Sequence, residues 1–219
     1  YHQVYVSDSG YCMAASNILI PSVVHCPVQL QLRFFLQGYF TGNQQMAAVL
    51  SNQLQNSNTQ LCDSVRVLLY EAQHPYTLLG SVQCVVQRNG YVNANLSLSA
   101  AGPYYVSIQH RNHIFSWSAV PLSPDPFTET LTYNFSSSAN QVYGSNAFQI
   151  ESGVWAFYAG DINQDENIDL SDYSLYESDA LNFASGYIAT DLNGDGSVDL
   201  LDSPVLDDNM NAFIFSIHP

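Results

Sequence analysis

The 219-residue chain contains no lysine, and its four basic residues other than histidine are arginines, set against 19 acidic residues. The formal net charge is therefore −15. Without lysine, neither Schiff-base chemistry nor a phosphate-binding P-loop lysine is available. Four arginines are too few to neutralise a nucleic-acid backbone. The composition therefore excludes DNA and RNA as partners and favours metal cations or basic protein surfaces.

Long apolar runs are also missing. No stretch reaches the roughly 18–20 apolar residues that span a bilayer, so we expect no insertion into a membrane. The chain does not start with a basic segment and an apolar run, so we expect any signal peptide to have been removed. Yet 47 % of the residues are hydrophobic, which is enough for a core in one large domain or two small ones.

The four cysteines form no C-x-x-C pair, which disfavours a zinc ribbon or a thioredoxin-like site. An even number of cysteines in a chain rich in Tyr, Asn, Gln and Ser is typical of a secreted protein with two disulfides. Of the three pairings, Cys12–Cys26 with Cys62–Cys84 closes short loops and is preferred. Four buried thiols are the alternative.

Acidic and basic residues are distributed unevenly along the chain. Residues 1–150 carry four arginines and five acids, whereas residues 151–219 carry 14 acids and no base. This contrast predicts a domain boundary near Gly160. We expect an N-terminal extension or added strand over 1–27, a β-sandwich over 28–159 and a separate acidic module over 160–219.

Alternation of polar and apolar residues predicts short strands. The predicted strands are 28–36, 64–70, 81–87, 91–99, 104–110, 114–119, 128–135 and 154–158. Asn89-Gly90 joins two of them and is the strongest hairpin signal in the chain. This number of short strands favours an antiparallel β-sandwich. Segment 41–62 is predicted to be a long loop with one helical turn around 46–50.

The acidic third contains an internal repeat with a period of 30 residues. Residues 161–172 (DINQDENIDLSD) align without a gap with residues 191–202 (DLNGDGSVDLLD). Their oxygen-bearing residues stand at positions 1, 3, 5, 7, 9 and 12, the register of an EF-hand calcium loop. The predicted ligands are Asp161, Asn163, Asp165, Asn167 (carbonyl), Asp169 and Asp172, and then Asp191, Asn193, Asp195, Ser197 (carbonyl), Asp199 and Asp202.

We therefore predict two bound calcium ions, one in each loop. Magnesium requires a stricter octahedron, and zinc requires His or Cys, of which the acidic third has only His218. The alternative is that these aspartates occupy turns or helix N-caps. Position 6 is Gly196 in the second loop but Glu166 in the first, so we expect a strained first loop and tighter binding by the second.

Ile168 and Val198, at position 8, fit a short β-bridge that couples paired loops. Short helices are predicted over 172–182 and 202–211, with Pro204 in the first turn of the latter. Because each loop is followed by a short helix and no helix leads in, the region resembles dockerin-type modules.

The segments AGDINQD (159–165) and ATDLNGDG (189–196) follow strands such as 103–119 and resemble the C-terminal region of secreted Bacteroidetes proteins. Many of those proteins are exported by the type IX pathway. The resemblance implies an extracellular, calcium-loaded, non-catalytic module: mainly β, a sandwich followed by dockerin-like paired loops. Dockerins carry partner-recognition residues at loop positions 10 and 11. Here these are Leu170-Ser171 and Leu200-Leu201, which do not match each other.

Candidates for catalysis are weak. His110 and His113 could meet one ion only across a turn, and a hydrogen-bonding loop is the alternative. Asp125 and Glu129 could be imagined as a glycosidase pair, but acids beside Pro-rich turns are usually solvated. Trp117, taken as exposed, could stack on a sugar, although aromatic residues on strands more often belong to a core. No serine or cysteine nucleophile motif is present.

Three short patterns mark weak glycosylation sites: the sequons at Asn95 and Asn134, and Ser64, which matches a Bacteroidetes O-glycosylation acceptor. The sequence as a whole predicts a non-enzymatic, secreted, calcium-binding building block of a cell-surface or extracellular assembly such as a filament. Its partners are then copies of itself or other surface proteins. The alternatives are a dockerin-like module that anchors an enzyme or surface protein to a receptor, and a carbohydrate-binding module that binds polysaccharide.

Overall fold

The computed structural model describes residues 4–7, 13–16, 27–98 and 102–219. Within these residues the chain is mainly β, with thirteen strands and three short α-helices. The strands are β1 (Val4–Ser7), β2 (Met13–Ser16), β3 (Val28–Arg33), β4 (Phe40–Gly42), β5 (Gln45–Met46), β6 (Leu61–Glu71), β7 (Leu78–Gln87), β8 (Tyr91–Leu96), β9 (Tyr104–His110), β10 (His113–Trp117), β11 (Thr130–Asn134), β12 (Phe148–Glu151) and β13 (Val154–Ala156). The helices are α1 (Val49–Asn52), α2 (Leu170–Leu181) and α3 (Ser203–Asn211).

Two sheets share one hydrophobic core. The four-stranded sheet has the order β10-β9-β6-β7, and the three-stranded sheet has the order β11-β3-β8. In β3, Leu30 and Leu32 are buried while Gln31 between them is exposed, as the alternation predicts. Their side chains meet Val67 of β6 and Ile108 of β9 in the same core. The predicted β-sandwich is confirmed in this coarse sense, with every predicted strand represented.

One strand pair differs from the prediction of a purely antiparallel sandwich. β11 lies parallel to β3, with Thr130 opposite Gln29 and Asn134 opposite Arg33. A parallel pair cannot be joined by a tight hairpin and needs a long connection. These two strands are far apart in the sequence, so no local turn signal fixes their relative direction.

The Asn89-Gly90 turn is present, but it does not close a hairpin. It connects β7, at the edge of the four-stranded sheet, to β8, at the edge of the other sheet. Gly90 has a left-handed φ of 84° and its carbonyl accepts a hydrogen bond from the amide of Phe34 at 3.1 Å. A β-carbon there would lie 2.5 Å from the Phe34 carbonyl oxygen, so this close approach requires glycine.

The predicted Cys62–Cys84 disulfide is wrong, because both residues are free thiols. The β6–β7 register places Cys84 opposite Val65, three residues beyond Cys62. The Cys62 sulfur instead lies 3.9 Å from the Met46 sulfur. Burial raises the pKa of both thiols, that of Cys84 to about 11. Cys12 and Cys26 lie outside the described residues, so their pairing stays a prediction.

The acidic third has its own small core, formed around Ile162, Ile168, Leu192 and Val198. Ile114 of β10 belongs to the same cluster, so this core lies directly against the sandwich. The two helices predicted to follow the loops are present as α2 and α3. The helical turn predicted around 46–50 lies at Val49–Asn52, as α1, and the predicted loop over 41–62 also contains β5 and the ends of β4 and β6. None of the helices in the described part of the chain is long and apolar enough to cross a membrane.

The strands β1 and β2 pair only with each other, as an antiparallel ribbon. Neither joins a sheet of the sandwich among the described strands. The predicted boundaries at 27/28 and 159/160 remain predictions.

Candidate functional site

The last aspartate of each loop makes the same three hydrogen bonds. Asp172 Oδ1 accepts from the amides of residues 162 and 163 at 2.7 and 3.0 Å, and its Oδ2 accepts from residue 169 at 3.0 Å. Asp202 Oδ1 accepts from residues 192 and 193 at 2.8 and 3.0 Å, and its Oδ2 from residue 199 at 3.0 Å. The repeat seen in the sequence is therefore also a structural repeat.

The other acidic and amide side chains follow the same rule in both loops. At positions 3, 5 and 9, each side-chain oxygen accepts a hydrogen bond from the amide two residues later, at 2.7–3.0 Å. The six acceptors are Asn163, Asp165, Asp169, Asn193, Asp195 and Asp199. These bonds curl each loop tightly on itself, while Asn163, Asp165, Asp169, Asp195 and Asp199 stay exposed to solvent.

The first aspartate of each loop is buried. Asp161 and Asp191 are at most 2 % exposed, and Asp172 and Asp202 are fully buried. Burial raises the pKa of Asp161 to about 7, with a further contribution from the nearby charge of Asp172. Burial likewise raises the pKa of Asp191 to about 6. Residues 151–219 contain no Lys or Arg, and the charge of Arg111 from the sandwich lowers the pKa of Asp191 less than burial raises it. A cation would stabilise the ionised form of both aspartates.

The bridge predicted between Ile168 and Val198 does not form. The amide of Ile168 donates to the carbonyl of Ile214, and that of Val198 donates to the carbonyl of Ala184, both at 2.9 Å. Ala184 and Ile214 are themselves one period apart, each in the segment that follows a helix. The first loop therefore pairs with the segment after α3, and the second loop pairs with the segment after α2. The two loops do not pair with each other.

Backbone geometry distinguishes the loops. Gly194 and Gly196 of the second loop have φ of 77° and 97°, in the left-handed region. Gln164 and Glu166 occupy the same positions of the first loop with φ of 62° and 72°. A side chain at positive φ costs free energy that glycine avoids, so the strain expected at Glu166 is present, and Gln164 adds to it.

The donor set fits a hard cation. Asp and Asn oxygens with backbone carbonyls are the ligands that calcium takes in loops of this length. No three His, Cys, Asp or Glu side chains in the described residues converge as they would on a metal ion. The carboxylates instead accept hydrogen bonds from the amides of their own loops. The residues that would hold an ion are the twelve predicted from the repeat.

A buried polar cluster lies where the sandwich meets the second loop. Asp63 is fully buried and accepts from His110 Nε2 and Arg111 Nε, both at 3.1 Å, and from Tyr187 Oη at 2.5 Å. Burial alone would raise the pKa of Asp63, but the hydrogen bond and charge of His110 and the charge of Arg111 hold it well below its ordinary value. The sequence placed Asp63 only in the weak glycosylation pattern around Ser64 and indicated no ion pair, because its partners are 47 to 124 residues away.

His110 and His113 do meet across a turn, with their Nδ1 atoms 3.0 Å apart. Both rings are buried, and burial lowers both pKa values. Asn112, between them, donates to the carbonyls of Ala189 at 2.8 Å and Asp191 at 3.1 Å. The turn is thus the hydrogen-bonding loop given as the alternative to a metal site, and it holds the segment that leads into the second calcium loop.

Two weaker candidates are also located. Asp125 is exposed and accepts hydrogen bonds from the amides of Phe127 and Thr128 at 2.9 Å, so it stabilises its own turn. Trp117 was expected to be exposed but is only 5 % exposed, because it packs against Tyr70, Tyr105 and Phe115. It therefore cannot offer a ring face to a sugar.

The glycosylation patterns lie in different surroundings. Asn95 is exposed on β8, whereas Ser64 is half-buried on β6. Asn134 is half-buried, and its Oδ1 accepts from the Ser136 amide and hydroxyl at 3.0 and 2.7 Å. Asn95 has the most accessible side chain of the three.

No protein-family model matches the chain. No curated protein matches it either. Among solved structures, the chain is similar to a chain from a C-terminal interface mutant of a type II cohesin–X–dockerin complex from Acetivibrio cellulolyticus, with 18 % identity over 84 % of this chain and 95 % of that one, at a TM-score of 0.48. A chain from the N-terminal interface mutant of the same complex matches with 17 % identity, the same coverage and a TM-score of 0.47. At these TM-scores the likeness does not establish a shared fold.

Proposed function

We propose that the chain is a non-catalytic, extracellular, calcium-binding protein that takes part in a cell-surface or extracellular assembly. The observation that carries the proposal is the structural repeat, in which Asp172 and Asp202 make the same three hydrogen bonds and each loop buries two aspartates. Burial raises the pKa of Asp161 and Asp191 even though backbone amides donate to both carboxylates, so burying their negative charge costs free energy unless a positive charge is bound nearby. Two calcium ions would supply that charge.

The surface of the acidic third supports binding to protein. Leu170 and Leu200, both at loop position 10, are 69 % and 82 % exposed. Phe183 and Phe213, also one period apart, are 89 % and 83 % exposed, and both have left-handed φ values. Exposed large apolar side chains mark contact surfaces when they form a patch, and we infer such a surface here because the exposure recurs at equivalent positions of the two repeats.

The chain's partners are either copies of itself or another surface protein. The alternative function is that of a dockerin-like module anchoring an enzyme or surface protein to a receptor, and the exposed Leu170 and Leu200 favour it as a second candidate. Burial of Trp117 leaves the carbohydrate-binding alternative without the aromatic face on which it depended.

Sedimentation velocity and electron microscopy of the chain, with calcium and with chelator, test the proposal. We expect calcium-dependent polymers that Phe183→Ser combined with Phe213→Ser abolishes. Phe127→Ser is the matched control, because Phe127 is 69 % exposed but lies outside the acidic third. A chain that binds no calcium contradicts the proposal. A calcium-bound monomer contradicts self-assembly and favours the receptor-anchoring alternative, which a one-to-one complex with a single protein would support.

A further inference from the structure

Gln53 reaches from the sandwich side of the molecule into the second loop. It follows α1, and its side chain is 5 % exposed. Its Nε2 donates a hydrogen bond to Oδ2 of Asp191, the first residue of the loop. The adjacent Asn52 donates from Nδ2 to the carbonyl of Gly194 at 3.1 Å.

The orientation of the Gln53 amide is fixed by charge on both sides. Its Oε1 faces the guanidinium of Arg111, whose Nη2 lies 3.5 Å away. Arg111 is itself held by Asp63 at 3.1 Å and lies over the Tyr187 ring at 4.3 Å. Because a cation lies on one side of the amide and a carboxylate on the other, the donor end must point to Asp191.

The first loop lacks such a partner. Oδ1 of Asp161 accepts from the Asp165 amide at 3.1 Å, and among the described residues no side chain from outside the loop bonds to it. The second loop also packs tightly against Val49 of α1. A β-carbon added at Gly194 would lie only 2.5 Å from the Val49 side chain. The two loops share a sequence pattern but differ in what surrounds their first ligand.

We infer that Gln53 is a positioning residue for the second calcium loop: it orients the Asp191 carboxylate from outside the loop, so the sandwich completes this site and not the first. The inference rests on the proposed calcium binding. Residues that orient metal ligands from outside the coordination sphere typically change metal affinity by about 10–100-fold when replaced. A chain of polar contacts runs from Asp63 through Arg111 to Gln53 and holds the Gln53 amide in place.

The test measures calcium affinity by calorimetry on the chelator-treated full chain, one loop at a time. An Asp161→Ala parent retains the second loop, and an Asp191→Ala parent retains the first. Gln53→Met removes the donor while keeping the volume, and Gln53→Ala is a second variant in case Met packs poorly. Gln83→Met is the matched control, because Gln83 is exposed on β7, away from the loops.

We expect Gln53→Met to weaken calcium binding in the Asp161→Ala parent by at least about tenfold. It should leave the affinity unchanged in the Asp191→Ala parent, whereas general loss of structure would weaken both loops. Gln83→Met should change neither. If both Gln53 variants leave the affinity of the second loop within about twofold of its parent, this inference is wrong and calcium binding stands. If the unsubstituted chain binds no calcium, the proposed function itself is wrong.

Discussion

The Tyr187 hydroxyl donates a hydrogen bond of 2.5 Å to the buried carboxylate of Asp63, 124 residues away in the chain. Asp63 lies on β6 of the sandwich, and Tyr187 leads into the second loop. The bond therefore joins the two sides of the boundary predicted near Gly160. Arg111 lies between them, bonded to Asp63 and packed on the Tyr187 ring. The acidic third is thus attached to the sandwich through a buried polar contact as well as through its small core.

Replacing Asp63 with Asn should strongly destabilise the chain. The substitution leaves the partly buried Arg111 without its charged partner, and breaking a fully buried pair costs about 3–5 kcal/mol, so we expect a loss of up to that size. Urea unfolding followed by circular dichroism measures the loss. Asp125→Asn is the control and should have no measurable effect, because Asn can still accept the hydrogen bonds of that exposed turn. Equal unfolding midpoints for the two variants would refute the stabilising role of Asp63.

A reciprocal exchange at loop position 6 tests backbone strain. Glu166→Gly should stabilise the chain by about 1 kcal/mol, because glycine adopts the left-handed φ of 72° without strain. Gly196→Glu should destabilise it by about 1–2 kcal/mol at the corresponding φ of 97°. The ion pair of Glu166 with His218, 3.5 Å long and exposed, subtracts little from the gain. Denaturant unfolding with calcium present gives both values, and effects of the same sign would contradict the prediction.

The calcium-free chain should show a specific pH dependence at Asp161. Its pKa is raised to about 7, so the folded chain binds this proton up to a higher pH than the unfolded chain does. The carboxylate therefore lowers the free energy of unfolding progressively as pH rises from about 4 to 7. Asp161→Asn should then be more stable than the parent in chelator at pH 8, and the gain should disappear toward pH 4.

The comparison with Asp161→Asn is needed because other groups titrate in the same range. Burial lowers the pKa of His110 and His113, and these histidines make stability rise with pH. They contribute equally to the parent and the variant, so their effect cancels in the difference. Urea unfolding at several pH values measures that difference, and a gain that is constant between pH 4 and 8 would show that Asp161 is not responsible.

Chelation should loosen more than the acidic third. The sequence alone predicts that chelator exposes residues 160–219 to proteolysis while a fragment of about 28–158 resists. Because Gln53 and Asn112 bond directly to the second loop, we expect faster hydrogen exchange around α1 and the 110–113 turn as well. Mass spectrometry of exchanged peptides, with and without calcium, measures this. Strand β3 serves as the internal control, and exchange confined to 160–219 would contradict the prediction.

Local patterns predicted the local structure well. The alternation in β3 and the 30-residue repeat each depend on neighbours in the sequence, and both are seen in the structure. The parallel pairing of β11 with β3 could not be predicted, because no short turn fixes it. Asn89-Gly90 specified a turn, but a turn cannot specify whether the next strand stays in the same sheet. The buried contacts of Gln53 and Asp63 could not be predicted, because they depend on partners up to 138 residues away.

Native mass spectrometry of the chelator-treated full chain counts the calcium ions that the two acidic loops bind. On addition of calcium, we expect two ions in the unsubstituted chain and one in either Asp161→Ala or Asp191→Ala. Ser197→Ala should still bind two, because its position contributes a backbone oxygen. An unsubstituted chain that binds no calcium at millimolar concentration, or that binds the same number of ions as both aspartate variants, would show that the two loops are not calcium sites.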